Sequence, residues 1–422
     1  MKKLLANALL GAILTSQAGA ADNAANWPHW RGARDNGSAQ EGDYPVKWNA
    51  TNALWTLDLP GKGCSTPIVW EKRIFLTAPV EGEDALLAVD WNGKLASQTK
   101  FGVEHSGRNV HGSGSNPSPA TDGKSVYVYF KSGHFAAVDF TGKILWQTDL
   151  VQRFGKDSLY WDYGTSPVLT DHDVVIARLH HGESYLAAFD KRTGDLRWKV
   201  ARNYETPIEG DHSYATPLLI HHQGKEAILV LGGERLTAHD AVTGQIIWSC
   251  ANFNPQAKKN WVPVASPVIA GDVAVVPYGR GLELHGIKLG GLGDVTATHR
   301  AWLRQDTGSF VSTPAEYHGR IYLLRDHGLE RGVVECIDPV SGKSLWRGEF
   351  PKGSPEYYSS PVVAGGKLYA AREDGVVFVA RIEGEFELLA QNDMGEQIIA
   401  SPVPVNNRLL IRGEKHLFCI GL

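Results

Sequence analysis

Cysteine and methionine are scarce in this chain of 422 residues, which has four cysteines and two methionines beside thirteen tryptophans. No two cysteines are adjacent, and no two are expected on one pair of neighbouring strands. Buried free thiols are therefore predicted instead of a disulfide framework, although an exported protein could form disulfides. The thiols in question are Cys64, Cys250, Cys336 and Cys419. Few methionines and many tryptophans favour a rigid body built from strands.

Long hydrophobic runs are missing after the first twenty residues. The chain opens with two lysines, an apolar run over residues 4–14 and Ala18-Gly19-Ala20, which together predict a secretory signal peptide over residues 1–20. That run is too short to span a bilayer, and no cysteine follows it to carry a lipoprotein anchor. We expect a soluble periplasmic or secreted protein without a membrane span, and a lead segment over residues 21–52.

An excess of basic charge is also missing, since 42 Lys and Arg face 46 Asp and Glu. Without a basic tail or stripe, nucleic acid is excluded as a partner. The phosphate-binding, dinucleotide-binding, zinc-protease and serine-hydrolase motifs do not occur. The adjacent pairs His180-His181 and His221-His222 would point to opposite faces of a strand, so we expect no metal site.

What the chain does contain is a proline preceded by Ser or Thr, repeated eight times at intervals of 41 to 52 residues. A short apolar stretch follows or nearly follows each copy. A period near fifty residues indicates a propeller or an array, because one such unit cannot bury its own apolar face. The repeated prolines are Pro67, Pro119, Pro167, Pro217, Pro267, Pro314, Pro361 and Pro402.

The clearest repeat runs from Thr165 to Val200 and predicts four strands. Its second and third strands are rich in β-branched and apolar residues, a Thr-Gly turn follows, and the fourth strand alternates around a tryptophan. The predicted strands are Thr165–Leu169, Asp173–Arg178, Tyr185–Asp190 and Asp195–Val200. Units one, five and seven are degenerate copies.

Four strands in each of eight units predict an all-β, eight-bladed β-propeller with antiparallel blades over residues 53–422. A flat stack of units is the alternative. The last unit ends at the C-terminus with its third strand, Leu417–Ile420, while a Trp-containing strand stands alone at Ala53–Leu59. Pairing these two strands would close the ring and remove an exposed sheet edge, so we expect closure.

The repeat resembles a known family. Asp-x-x-[Thr/Ser]-Gly-[Lys/Asp/Gln] followed by Leu-Trp is similar to the pyrroloquinoline quinone (PQQ) repeat of quinoprotein alcohol dehydrogenases and of the BamB-type outer-membrane assembly propeller. This resemblance covers nearly all of residues 53–422. The segment Trp27-Pro28-His29-Trp30-Arg31-Gly32 resembles the opening of secreted PQQ-like propellers that are common in planctomycetes and related bacteria.

The resemblance implies a fold more than a function. Quinoprotein dehydrogenases carry a vicinal Cys-Cys disulfide over the cofactor, a Trp beneath it, and Glu, Asn and Asp around calcium. Here Trp161-Asp162 or Trp261 could imitate only one part of that site. We therefore expect no cofactor, with PQQ and calcium as the less favoured alternative. Outer-membrane assembly work would require the lipid anchor that the sequence lacks.

Loops that enter the first strands and join the second to the third strands should open on one face, where binding sites concentrate. Arginines recur at nearly equivalent positions at the ends of the second strands. They could form a cationic, aromatic-lined mouth for an anionic ligand, or each could pair with an acid of its own or the next blade. The predicted ligand-binding residues are Arg178, Arg235, Arg280, Arg325, Arg372, Trp161, Trp261, Tyr214 and Tyr358.

Residues that break the repeat are the candidates for catalysis, namely His111, His212, Tyr163 and Asp162. A His or Tyr could abstract a proton next to a uronate carboxylate that Arg178 neutralises. A loop histidine that only forms hydrogen bonds is the alternative. We therefore expect a monomeric exported scaffold that binds a ligand or protein through its loop-rich face. The first alternative is a lyase or hydrolase acting on an anionic glycan, and the second is a quinoprotein dehydrogenase.

Overall fold

The computed structural model describes residues 26–39 and 42–422. The predicted signal peptide lies outside them. The first half of the described chain contains the 3₁₀ helix Ala50–Asn52 and the helix α1, Leu150–Phe154. Its strands are β1 Ser38–Ala39, β2 Trp55–Asp58, β3 Ile68–Trp70, β4 Arg73–Val80, β5 Glu83–Asp90, β6 Leu95–Val103, β7 Ala120–Thr121, β8 Ser125–Tyr129, β9 His134–Asp139, β10 Ile144–Asp149, β11 Val168–Leu169, β12 Asp173–Arg178, β13 Tyr185–Asp190, β14 Leu196–Ala201, β15 Leu218–His222, β16 Lys225–Gly232 and β17 Arg235–Asp240.

The second half contains the 3₁₀ turn Gly279–Gly281 and the helix α2, Thr296–His299. Its strands are β18 Ile246–Cys250, β19 Val268–Ala270, β20 Val273–Tyr278, β21 Glu283–Lys288, β22 Gly293–Asp294, β23 Arg300–Arg304, β24 Ala315–Tyr317, β25 Arg320–Leu324, β26 Val333–Ile337, β27 Ser344–Glu349, β28 Val362–Ala364, β29 Lys367–Ala371, β30 Val376–Arg381, β31 Glu387–Asp393, β32 Val403–Val405, β33 Arg408–Arg412 and β34 His416–Ile420. No helix in the described residues has the length and apolar character needed to cross a membrane.

These strands form eight antiparallel four-stranded blades in a ring, which confirms the predicted propeller. The first strands of neighbouring blades contact one another around a central channel. Short parallel strands add β1 to the seventh blade and β22 to the fourth. The blades are β3–β6, β7–β10, β11–β14, β15–β18, β19–β21 with β23, β24–β27, β28–β31, and β32–β34 with β2.

Ring closure follows the predicted route. Strand β2 pairs antiparallel with β34, with Trp55 opposite Cys419 and Asp58 opposite His416. The first strand of the propeller therefore completes the eighth blade. In the third blade, β12 and β13 have the predicted bounds, while β11 and β14 differ from prediction by one to three residues at their ends.

The tryptophan and the turn glycine of the repeat meet between blades. The Trp146 indole donates to the Lys191 carbonyl of the next blade at 2.9 Å, and its ring covers Gly194. A Cβ on Gly194 would lie 2.6 Å from that ring, and the φ of this residue is +74°, so only glycine fits both the turn and the contact. The same pairing recurs for Trp55 with Gly93, Trp198 with Gly244 and Trp302 with Gly342.

Apolar side chains fill the space between blades. Strand β12 is buried along its whole length, and its Val175 and Ala177 pack with Ile228 and Val230 of the fourth blade. A middle strand is covered on both faces by neighbouring blades, so it reads as a continuous apolar run. The four cysteines are free thiols, with Cys64 half-buried and the others buried.

A ring of hydrogen bonds explains the residue that precedes each repeated proline. The backbone N–H of each such Ser or Thr donates to the hydroxyl oxygen of its counterpart in the next blade, at 2.9 to 3.2 Å, and the eighth bond returns to the first blade. The members of this hydroxyl ring are Thr66, Ser118, Ser166, Thr216, Ser266, Thr313, Ser360 and Ser401.

Residues 26–39 form a strap across one end of the channel. Trp27 forms a two-way backbone bridge with Val69, at 2.8 Å for both hydrogen bonds. At the other end, β1 runs beside β28 of the seventh blade. Arg31 is buried between them, and its Nη2 donates to the carbonyls of Pro314 and Pro361 at 3.1 and 2.9 Å. The strap therefore ties the first blade to the sixth and seventh blades.

Candidate functional site

The central channel is a cavity of about 470 Å³ and is the candidate site. Its walls come from loops of most blades, and six hydroxyls of the ring described above lie among them. It is lined by Trp30, Cys64, Thr66, Asn109, His111, Gly112, Asn116, Ser118, Trp161, Asp162, Gly164, Ser166, Tyr214, Thr216, Val264, Arg280, Phe310, Val311, Asp326, His327, Glu356, Tyr357, Tyr358, Ser360, Ile399, Ala400 and Ser401.

Trp30 of the strap forms the floor of this channel. Its half-buried side chain lines the channel and also a second cavity of about 390 Å³ between the strap and the first strands of blades three and four. Ser166 and Thr216 likewise border both cavities. The indole thus lies between the channel and the second cavity, at the end of the channel that the strap crosses. The position of the Trp27–Gly32 segment in the fold could not be predicted from the sequence.

Asp162, a predicted catalytic residue, anchors a loop. Its carboxylate accepts the backbone N–H groups of Arg108 and Asn109 at 2.9 and 3.2 Å, and it forms an ion pair with Lys131 at 2.6 Å. Only 2% of the side chain is exposed. These three contacts tie the loop of Arg108 and Asn109 to the channel wall.

Asp326, which was not among the predicted site residues, has a similar role on another wall. It accepts backbone N–H groups of Phe310, Val311 and Ser312. Its Oδ1 lies 3.0 Å from Nδ1 of His327. This hydrogen bond raises the pKa of His327 against the opposing effect of burial, because it stabilises the imidazolium.

His111, a predicted catalytic residue, lies in the channel wall and has a carboxylate partner. Its Nδ1 is 3.3 Å from Oε2 of Glu373 and 3.4 Å from Nε2 of Gln397. Its ring stacks on Tyr358 with centroids 4.4 Å apart and an interplanar angle of 17°. Burial raises the pKa of Tyr358 to about 12. A carboxylate on Nδ1 orients the imidazole and leaves Nε2 for exchange with a ligand.

Most of the predicted arginines lie away from the channel. Arg178 pairs with Asp157 at 2.9 Å, Arg372 pairs with Asp374 at 2.9 Å, and Arg325 pairs with Glu330. Arg235 lies over the Tyr204 ring at 4.7 Å. Three of these four arginines therefore pair with an acid, as in the alternative of structural ion pairs. Arg280 is the one predicted arginine among the residues that line the channel.

The remaining predicted residues divide between channel and core. Trp161 and Tyr214 both line the channel. The backbone N–H of Trp161 donates to the Tyr214 hydroxyl at 2.9 Å. Tyr163 is buried, and its hydroxyl donates to the Ala177 carbonyl at 2.5 Å. His212 and Trp261 are also buried and are not among the lining residues.

Two further aromatic residues, Trp30 and Phe310, line the channel and were not predicted as parts of the site. Trp30 was identified only as part of the segment Trp27–Gly32, which resembles the opening of related propellers. The blade residues beside it, such as Ser166 and Thr216, lie more than a hundred residues away in the sequence. Phe310 follows Thr307-Gly308-Ser309, four residues before a repeated proline. Phe310 therefore lies in a loop that enters a first strand, where binding residues are expected, and this position could have identified it.

The ring of eight four-stranded blades, with its Trp-strand and turn-glycine contacts, defines a PQQ-like β-propeller. The chain belongs to the family described as outer membrane protein assembly factor BamB, whose model matches residues 83–347. No curated protein matches the sequence significantly.

Solved structures agree on the fold. BamB from Moraxella catarrhalis is 14% identical, with a TM-score of 0.60 over 88% of this chain and 97% of that one. A europium-containing methanol dehydrogenase is 12% identical, with a TM-score of 0.67 over 92% of this chain and 89% of that one. Quinohemoprotein alcohol dehydrogenase from Comamonas testosteroni is 13% identical, with a TM-score of 0.65 over 93% and 80%. These identities support a shared fold alone.

The channel residues do not fit a calcium-bound quinone. Calcium takes six to eight oxygen ligands. Among the described residues, no three His, Cys, Asp or Glu side chains are grouped closely enough to hold a metal ion. In the channel, Asp162 and Asp326 are each engaged by several backbone N–H groups.

Proposed function

We propose that the protein is an exported binding scaffold whose central channel receives one end of a hydroxyl-rich ring ligand, such as a sugar chain. The observation that carries this proposal is the Trp30 indole, which lies between the channel and the second cavity beneath aromatic walls. A ligand that enters from the opposite end of the channel would meet this indole with its terminal unit. The volume of about 470 Å³ lies within the range of small-molecule sites, roughly 300 to 1,000 Å³.

The chemistry of the walls supports a sugar. Trp161, Tyr214 and Tyr358 line the channel, and aromatic rings offer apolar surface on which a pyranose ring can pack. The amides of Asn109 and Asn116 lie in the same walls and can both donate to and accept from hydroxyl groups. This combination of aromatic surface and few polar groups is typical of ligand pockets.

Export of the protein remains our inference from the predicted signal peptide. The family description, an outer-membrane assembly factor, is consistent with work outside the cytoplasm. The monomeric state also remains a prediction. A role in binding a protein partner is the fallback if no small ligand enters the channel.

A second candidate function is acid–base chemistry on the bound glycan, as in a lyase or hydrolase. The contact between His111 and Glu373 at 3.3 Å favours it, because a carboxylate on Nδ1 prepares the opposite nitrogen to accept a proton. Replacement of His111 by Gln should then abolish product formation while binding persists. Equal turnover by the variant would remove this candidate.

The binding proposal is tested with a panel of neutral and acidic oligosaccharides, using tryptophan fluorescence and calorimetry. We expect at least one saturable ligand, and we expect Trp161→Ala to weaken it at least tenfold. Trp91→Ala is the matched control, because Trp91 is partly exposed on the outer side of the ring, beneath Arg408. Failure of every glycan to bind the folded protein would overturn the proposal in favour of a protein-binding role.

A further inference from the structure

Arg280 differs from the other arginines at the ends of the second strands. It lies in the 3₁₀ turn Gly279–Gly281 with φ +57° and ψ +42°, a left-handed conformation that is uncommon for a side chain other than glycine. Both flanking glycines also have positive φ. A local backbone of this kind persists only where its surroundings impose it and is a reason to look for function.

The turn packs directly against His327. A Cβ on Gly281 would lie 2.8 Å from Cε1 of this histidine, so glycine is required for the close approach. The ring of Phe310 contacts both Arg280 and His327. It is 4.4 Å from Cζ of Arg280, and its centroid is 5.4 Å from that of the imidazole.

Arg280 has no acidic partner among the described residues. Its Nη1 reaches only the Asn260 carbonyl, at 3.4 Å, and the side chain is half-buried in the channel wall. The nearby acids are already engaged, since Asp326 holds backbone N–H groups and His327. Glu356 lies 3.7 Å from Arg331. A guanidinium without an acidic partner can bind a planar anion through its paired N–H donors.

We propose that Arg280 and His327 form a subsite for a single carboxylate on the ligand, so that the channel prefers a chain ending in an acidic sugar. This inference rests on the proposed function and names its substrate class. The two side chains both contact Phe310 and line one channel, which offers an anion donors from two different blades. A sulfate would use the same donors, and the test separates the two groups.

His327 makes this subsite sensitive to pH. The groups that act on it are Asp326 and Glu356, which raise its pKa, and Arg280 together with burial, which lower it, and the net direction is upward. The imidazolium is therefore present below this raised pKa and is lost as the pH rises through it. Affinity for an acidic ligand should fall over that rise, and His327→Gln should flatten the dependence.

The test compares three oligosaccharides that differ only in the terminal unit, which is glucuronate, glucose or 6-sulfated glucose. Calorimetry at pH 6 should give the glucuronate-ended chain at least tenfold higher affinity than the glucose-ended chain. Arg280→Gln should lower the affinity for the glucuronate-ended chain to that for the glucose-ended chain. Arg325→Gln is the matched control, since Arg325 occupies the equivalent position in the next blade but pairs with Glu330 outside the channel.

The outcomes distinguish a failure of the carboxylate subsite from a failure of the binding channel. Equal binding of the acidic and neutral chains, or equal weakening of both by Arg280→Gln, would overturn the subsite and leave the binding channel intact. Preference for the sulfated chain would overturn the assignment to a carboxylate. Absence of binding by all three chains would overturn the subsite and contradict the proposed function as well. Melting temperatures of both variants establish that they are folded.

Discussion

The backbone N–H of Ser401 donates to Oγ1 of Thr66 at 3.2 Å across 335 residues of sequence. This bond is the last of the eight that link the blades around the channel. It joins the eighth blade to the first. The pairing of β2 with β34 closes the ring at the same place. The hydroxyl ring therefore fastens the channel wall where the chain begins and ends its circuit.

Replacement of Thr66 by Val should lower the free energy of unfolding by roughly 1–3 kcal/mol. Valine keeps the shape of threonine but removes the acceptor, so the buried N–H of Ser401 loses its partner. Thr216→Val removes the equivalent acceptor for Ser166, at 3.1 Å, within the ring. Urea unfolding of both variants measures the loss. A negligible change in Thr66→Val would show that the closing bond contributes little.

The sequence predicted the number of blades and the closing pair because spacing and strand patterns are local features. It could not predict the hydroxyl ring, since each bond depends on how closely two blades approach. Ser and Thr before the prolines were visible, but the partner of Thr66 lies at the far end of the chain. The role of Gly194 was only half visible, because Trp146 of the neighbouring blade covers it.

Replacement of Trp30 by Ala should join the channel to the second cavity, because this indole lines both. We expect at least tenfold weaker ligand binding, and a stability loss below about 3 kcal/mol because the side chain is only half-buried. Calorimetry and urea unfolding measure the two effects. Trp30→Phe should restore much of the binding, since it retains an aromatic floor. Binding by Trp30→Ala at the original affinity would mean that the ligand does not reach the floor.

Acid sensitivity should arise in part from His239, which is buried in the fourth blade. Its Nδ1 donates to the Gly244 carbonyl at 2.8 Å, and its Nε2 accepts from Thr237 at 2.9 Å. Burial, aided by the positive charge of Arg202, lowers its pKa from 6.5 to about 4. The unfolded chain therefore takes up a proton first as the pH falls through this window, and stability is lost.

Protonation of His239 in the unfolded chain should lower the free energy of unfolding by up to about 3 kcal/mol between pH 7 and pH 4. Urea unfolding at these two pH values should show a smaller acid-induced loss in His239→Gln than in the original protein. His172→Gln serves as the control, because His172 is exposed. An identical pH dependence in His239→Gln and the original protein would show that another group is responsible.

Addition of PQQ with calcium should change neither the absorbance of the cofactor nor the melting temperature. The physical reason is the donor set, since the channel acids Asp162 and Asp326 are engaged by N–H groups of the backbone. A quinoprotein dehydrogenase that is stripped and reloaded in the same way provides the positive control. A saturable thermal shift in this protein would restore the quinoprotein hypothesis.

The candidate site was predicted only in part, for reasons that individual residues illustrate. His111 and Asp162 were found because they break the repeat, and both line the channel. Tyr163 breaks it too, yet its side chain points into the blade and binds Ala177, which a loop sequence does not reveal. Among the equivalent arginines, Arg280 was distinguishable by its two flanking glycines, which turn the backbone left-handed.

The most direct test of the binding channel is a titration of Gly164→Leu with the tightest-binding glycan of the panel. Gly164 lines the channel, and a Cβ there would meet only the Tyr214 carbonyl oxygen, at 4.0 Å. Leucine therefore occupies the channel without straining the backbone. We predict that binding is lost while the melting temperature is unchanged. Binding at the original affinity would place the ligand elsewhere and contradict the account.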